Sequence, residues 1–153
     1  ADRTVRLWRV DDGACERTFQ GHTDAVSCVA TLPGGLLASG SLDCTARLWA
    51  VDSGVCVRLL VGHTGGVQGL AALPELPGGS APGELGLASA SLDWTVRVWR
   101  VAPFGCAHVL EGHEGSVLGV AALPGPARLA SCSSDCSLRV WCLATGSCAQ
   151  VLE

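Results

Sequence analysis

Serine, histidine and aspartate recur together along this chain, and together they are the ingredients of a nucleophilic hydrolase. His22, His63 and His113 are each followed by a serine-bearing segment, LASGS (37–41), LASAS (87–91) or LASCS (129–133). After each of these comes an aspartate, Asp43, Asp93 or Asp135. Hydrolysis needs an exposed hydroxyl, a base to activate it and an oxyanion hole. One such set would suffice, and three at one spacing read as a structural device instead. No catalytic residue is therefore expected. Zinc binding is the second chemistry to weigh, because the chain has nine cysteines. Structural zinc sites pair short Cys spacings with His. Here Cys15, Cys56, Cys106 and Cys148 each follow a tryptophan by seven residues, so they fall in separate units. Cys44 and Cys136 share another position. Cys28 aligns with Gly69 and Gly119, and Cys132 with Gly40 and Ala90. Cys132, Cys136 and Cys142 cluster without a recognised zinc spacing. An odd count also argues against a pure disulfide framework. Packing thiols in a reducing compartment are expected, with no metal and no cofactor.

The wider composition narrows the function classes. The chain has 153 residues, of which 10 are basic, all Arg, and 14 acidic, for a net charge of −4. A nucleic-acid groove shows up as a basic domain, so none is expected. A hydrophobic share of 48% excludes intrinsic disorder. No apolar run approaches the roughly 18 residues of a membrane span. No basic start followed by an apolar stretch marks a signal peptide. These features together suggest an intracellular protein, in cytoplasm or nucleus. Lys, Ile, Asn, Tyr and Met are absent. Their codons are AT-rich, so the absence describes a GC-rich coding sequence and carries no chemistry.

The elements that must position these residues are repeats. Trp8, Trp49, Trp99 and Trp141 end TVRLW (4–8), TARLW (45–49), TVRVW (95–99) and SLRVW (137–141). Asp2, Asp43, Asp93 and Asp135 each stand six residues before one of these Trp. Gly-His pairs (21–22, 62–63, 112–113) precede Leu-Pro pairs (32–33, 73–74, 123–124). The Trp segments alternate with period two, as strands do. The segments 26–32, 67–73 and 117–123 are nearly continuous apolar runs, as fully buried strands are. Gly and Pro clusters punctuate at all-β spacing. Four strands are expected per repeat, in the first complete one at about 26–32, 36–41, 45–51 and 55–61. The first two strands of the chain are expected at about 4–10 and 14–19.

Gly-His, a small-Ser strand, Asp-x-Thr and a strand ending in Trp together resemble the WD40 repeat. The resemblance covers nearly the whole chain, although Arg9, Ala50, Arg100 and Cys142 stand where the family usually has its final Asp. It implies an all-β fold, a WD40-type β-propeller of four-stranded antiparallel blades. The expected division is residues 1–20 as the outer two strands of one blade and 21–61, 62–111 and 112–153 as WD repeats, all in one propeller domain. The second repeat carries an insertion, Glu75–Gly86, whose Gly- and Pro-rich sequence reads as a mobile surface loop. Three full blades and a half do not close a ring, and two copies still lack both inner pairs. The ring is expected to be completed by sequence outside these residues.

The resemblance also implies hydrogen-bonded tetrads. They are His22, Ser39, Asp43 and Trp49; His63, Ser89, Asp93 and Trp99; and His113, Ser131, Asp135 and Trp141. The first half-blade keeps only Asp2 and Trp8. Relatives of this kind bind partners on the face bearing the Gly-His loops and Asp turns. The variable positions there include Leu42, Gln68, Leu92, Trp94, Leu118 and Ser134. None is Arg, so the face suits an apolar protein or peptide segment and not a phosphopeptide. Arg47, Arg97 and Arg139, one per repeat, read as a solvent-edge or inter-blade pairing feature. The function implied is a non-catalytic protein–protein interaction scaffold, part of a larger WD40 protein. The alternative is a substrate-receptor or ubiquitin-binding propeller of the ubiquitin pathway, which residues 15–22 (CERTFQGH) resemble.

Overall fold

The computed structural model describes residues 2–77, 84–125 and 127–153. Each apolar or alternating segment forms a strand, and each Gly, Pro or Asp cluster turns the chain back. The first sheet has two strands, β1 (Thr4–Trp8) and β2 (Cys15–Gln20). Three four-stranded antiparallel sheets follow, each a meander of consecutive strands. They are β3 (Val26–Leu32), β4 (Leu36–Ser41), β5 (Ala46–Ala50) and β6 (Cys56–Leu60); β7 (Val67–Leu73), β8 (Gly86–Ser91), β9 (Val96–Arg100) and β10 (Gly105–Leu110); and β11 (Val117–Leu123), β12 (Arg128–Ser133), β13 (Leu138–Cys142) and β14 (Ser147–Leu152). Among the described residues no helix is long and apolar enough to cross a membrane.

The sheets stack as an open arc of propeller blades. β7 lies between β3 and β11, so the first strands of the three full blades are neighbours. One apolar cluster, with Leu48, Leu60, Leu87 and Trp99, joins the first full blade to the second. Another, with Val96, Val98, Val117, Leu129 and Trp141, joins the second to the third. Phe19 of β2 meets Trp49 edge-on at 5.7 Å and docks the half-blade. Small residues permit this close stacking. A Cβ on Gly69 would lie 3.1 Å from the Cα of Gly119 on the next blade.

Several strand ends differ from the sequence expectation. β1 stops at Trp8 because Arg9 and Gly13 close the next turn, the Gly13 N–H donating to the Arg9 carbonyl. β5 starts at Ala46 because Thr45 is committed to the Asp43 turn. The insertion also departs from a simple mobile loop, and Gly86 already belongs to β8. Its flanks are packed. Leu76 is buried and covers Gly86, where a Cβ would come within 2.5 Å of it. Leu76 N–H donates to the Glu84 carbonyl at 2.9 Å. Glu84 is buried and pairs with Arg100 Nε at 3.1 Å. The centre of the insertion, residues 78–83, lies outside the described residues.

Candidate functional site

Two β-bulges per blade set the geometry of the loop face. Between the first and second strands, pairing skips Ser27, Gln68 or Leu118. A bulge leaves its extra residue out of the ladder and re-aims its side chain. Two of the expected face residues, Gln68 and Leu118, are therefore bulge residues. Ser27 shows where such a residue can reach, since its hydroxyl donates to the Gly40 carbonyl at 3.1 Å and also to the Val67 carbonyl of the next blade. The second bulge places Trp opposite Cys in all four sheets: Trp8–Cys15, Trp49–Cys56, Trp99–Cys106 and Trp141–Cys148. The seven-residue Trp–Cys spacing is thus a cross-strand pair.

The structure brings all three expected tetrads together. Trp49 Nε1–H donates to Ser39 Oγ at 2.8 Å, and Ser39 Oγ lies 2.8 Å from His22 Nε2. His22 Nδ1 lies 2.8 Å from Asp43 Oδ2. The second set repeats this with Trp99 to Ser89 at 2.8 Å, Ser89 to His63 at 2.8 Å and His63 to Asp93 at 2.7 Å. In the third, Trp141 to Ser131, Ser131 to His113 and His113 to Asp135 are each 2.8 Å. One proton arrangement satisfies every atom. The indole donates to the hydroxyl, the hydroxyl donates to a neutral imidazole, and the imidazole Nδ1–H donates to the carboxylate. The triad connectivity is present, but the serines are buried and each hydroxyl is already occupied by an indole. The line is a strut and presents no nucleophile to solvent.

The aspartates hold the loops in place. Asp43 also accepts the Thr23 N–H at 3.0 Å, the Thr45 N–H at 2.9 Å and the Thr45 hydroxyl at 2.6 Å. Burial alone would raise its pKa, but the Thr45 hydroxyl, the Thr23 amide and His22 outweigh that and hold it at about 2. Asp93 has the same balance, burial against Thr95, His63 and Thr64, and is also held at about 2. For Asp135, burial is overcome by His113, Ser137 and Glu114, which keep it well below the ordinary carboxylate range. Burial lowers the pKa of His63, against the pull of Asp93. Next to each Asp, the turn is welded to the Gly-His loop. The N–H groups of Leu42, Leu92 and Ser134 donate to the carbonyls of Ala25, Gly66 and Ser116, each at 2.9 Å.

Leu42, Leu92, Trp94 and Leu118 are exposed on this welded face, Ser134 is exposed and Gln68 half-buried. Leu42 reaches across to the next blade, where a Cβ on Gly66 would meet it at 2.8 Å. Trp94 has a left-handed backbone, φ +72°, shared with Cys44 (+66°) and Cys136 (+67°). That conformation is unfavourable for a bulky residue. The tight Asp turn imposes it at every blade.

Two expectations need correction. Arg47, Arg97 and Arg139 make no ion pair among the described residues. Arg47 and Arg97 stack inside their own blades, their guanidinium groups lying 5.9 and 6.0 Å from the rings of Trp49 and Trp99. The Gly of each Gly-His pair leaves room for this. Gly21, Gly62 and Gly112 have φ of +156°, +156° and +145°, and a Cβ there would come within 2.7–2.8 Å of the Arg. The glycine was legible from the repeat, but its reason was not. The cysteines are packing thiols only in part: Cys15, Cys106, Cys132 and Cys136 are exposed, whereas Cys148 packs against the core shared by the second and third blades and burial raises the pKa of Cys28. The four outer-strand thiols instead meet the carbonyl two residues on, as Cys56 does at 3.3 Å from Arg58. All nine are free, and no metal-ligating cluster forms among the described residues.

Comparison with known proteins agrees with the geometry. The family described as "WD domain, G-beta repeat" matches residues 13–50, 54–100 and 104–142. Among curated proteins, an uncharacterized WD repeat-containing protein of Schizosaccharomyces pombe is 49% identical over 43 residues. That match spans 28% of this chain and 12% of the relative.

Proposed function

The chain belongs to the WD40-repeat family, and on that premise we propose that it is a non-catalytic scaffold whose loop face binds an apolar protein or peptide segment. One observation carries this reading. Trp94 is exposed in a left-handed turn two residues after exposed Leu92, and exposed Leu42 reaches Gly66 of the same blade as Trp94, on loops held by the tetrads. A rigid aromatic in an apolar patch is the usual anchor of a binding surface. The bulge residues Gln68 and Leu118 extend the face toward the third blade. Ser39, Ser89 and Ser131 are committed to struts, which favours binding over catalysis. The ubiquitin-pathway reading has no structural observation behind it and is not carried further.

The test compares the wild-type chain with Trp94→Ala and Leu118→Glu. Both residues are exposed, so both variants should keep the wild-type melting curve. Partners captured by the wild-type chain from cell extract and then purified should bind it directly and lose at least about tenfold in affinity on Trp94→Ala, as anchor residues do. Unchanged affinity in both variants would remove this face from the function.

A further inference from the structure

The insertion in the second repeat does more than lengthen a turn. The first complete repeat joins its first two strands with Pro33, Gly34 and Gly35 and has no counterpart of Leu76. Leu76 helps to wall a cavity of about 370 Å³ between the second and third blades. Leu73, Leu76 and Leu143 supply its buried lining and belong to the core that joins these two blades. Both sides are held by main-chain bonds. Leu76 N–H donates to the Glu84 carbonyl at 2.9 Å on one, and Leu143 N–H donates to the Ala127 carbonyl at 2.8 Å on the other. The volume lies in the range of ligand pockets, which are mostly apolar with a few placed polar groups.

Two charged side chains line this otherwise apolar space, Glu75 from the second blade and Arg128 from the third. Both are exposed, and neither makes an ion pair among the described residues. Among those residues the Arg128 guanidinium donates to the Pro124 carbonyl at 3.3 Å, which leaves most of its five donors open. The two charges restrict what can enter. A purely anionic ligand meets Glu75, and a purely cationic one meets Arg128. A ligand with an apolar body and both charges gives each of them a partner.

We propose that this cavity binds an apolar zwitterion of the amino-acid type, either a hydrophobic amino acid or a dipeptide of such residues. Its side chain lies against Leu73, Leu76 and Leu143, its carboxylate on Arg128 and its ammonium on Glu75. Large aliphatic side chains are favoured over small ones, because affinity follows the apolar area removed from water. The free amino acid and the dipeptide share this chemistry and differ in the separation of their two charges. The site lies at the Gly86 end of β8, and the Trp94 turn follows its other end at Ser91. It is therefore separate from the loop face proposed above and does not depend on it.

The probes are L-leucine, L-leucyl-L-leucine and N-acetyl-L-leucinamide, which lacks both charges, each titrated into the full chain by calorimetry. Saturable binding of one of the zwitterions is expected, at least about tenfold tighter than that of the amide, the ratio for one lost charge-assisted hydrogen bond. The tighter of the two zwitterions supports the inference and identifies the free amino acid or the peptide as the source. Arg128→Gln and Glu75→Gln should each weaken binding about tenfold. Ala122→Phe, on the cavity wall, should abolish it by filling the space. All three positions are exposed, so each variant should keep the wild-type melting curve. No saturation by either zwitterion at about 10 mM, weaker than the millimolar end of the affinity scale, would overturn the inference. So would equal binding of the amide, or unchanged binding in Ala122→Phe. Trp94→Ala should leave this binding unchanged, so the result does not bear on the loop face.

Discussion

Ser39 Oγ lies 2.8 Å from both the Trp49 indole nitrogen and His22 Nε2, and so couples the third strand of a blade to the loop that enters it. The same hydroxyl bridge recurs at Ser89 and Ser131. It is the link on which the rigidity of the loop face depends.

Removing the bridge should be costly. Ser39→Ala or Ser89→Ala strands a buried indole N–H and a buried imidazole nitrogen. The expected loss is about 2–4 kcal/mol of unfolding free energy, read by urea denaturation. A loss below about 0.5 kcal/mol, the range of ordinary surface changes, would show that the tetrads are ornamental.

Gly62→Ala tests the arginine stack. The new Cβ would lie 2.7 Å from Arg97 Nη1 and would occupy φ +156°. Destabilisation of about 1–3 kcal/mol is expected from the backbone strain alone. Combining it with Arg97→Ala should recover part of the added loss and leave the backbone share. Strict additivity in the double-mutant cycle would mean that the steric contact does not matter.

Acid should weaken the fold in two stages. The lowered pKa of His63 means that the unfolded chain takes up that proton first, so stability falls as pH drops below about 6.5. Asp43 and Asp93 sit at about 2 in the fold, against about 3.9 when unfolded. Their contribution is full above that unfolded value and is lost as pH falls from about 4 to 2. Melting temperature should therefore be level above pH 7, slope gently below it and drop steeply under pH 4. A profile that rises on acidification would contradict the neutral-histidine, charged-aspartate arrangement.

Trp94→Asn separates strain from packing. Asn tolerates the left-handed turn better than Trp does. Thermal stability should hold or rise, by up to about 1 kcal/mol, while partner binding is lost. A clear fall in melting temperature would mean that Trp94 supports the fold, and the binding reading would lose its anchor.

The repeat spacing was enough, without coordinates, to assign fold class and strand order, and the resemblance to the WD40 repeat supplied the members of each tetrad. The reason is local. A period near 40 residues, Asp six residues before Trp and a Gly-His at each blade entry are properties of one repeat, and each repeat folds its own sheet. What a side chain faces was decided by the tertiary structure, because burial depends on the adjoining blade and on bulges that spacing does not reveal. Trp8 and Trp49 share one motif, yet one is open and the other sealed, since among the described residues the strand of Trp49 has a neighbour on both edges and that of Trp8 on one. Arg47 stacks on its own Trp, in space left by a glycine 26 residues earlier, an arrangement that one Arg per repeat does not reveal. Leu118 and Gln68 owe their aim to a skipped residue in the ladder. The cysteines look like core residues by type, yet none is fully buried, and four of the nine, Cys15, Cys56, Cys106 and Cys148, lie on the outer strand of their sheet.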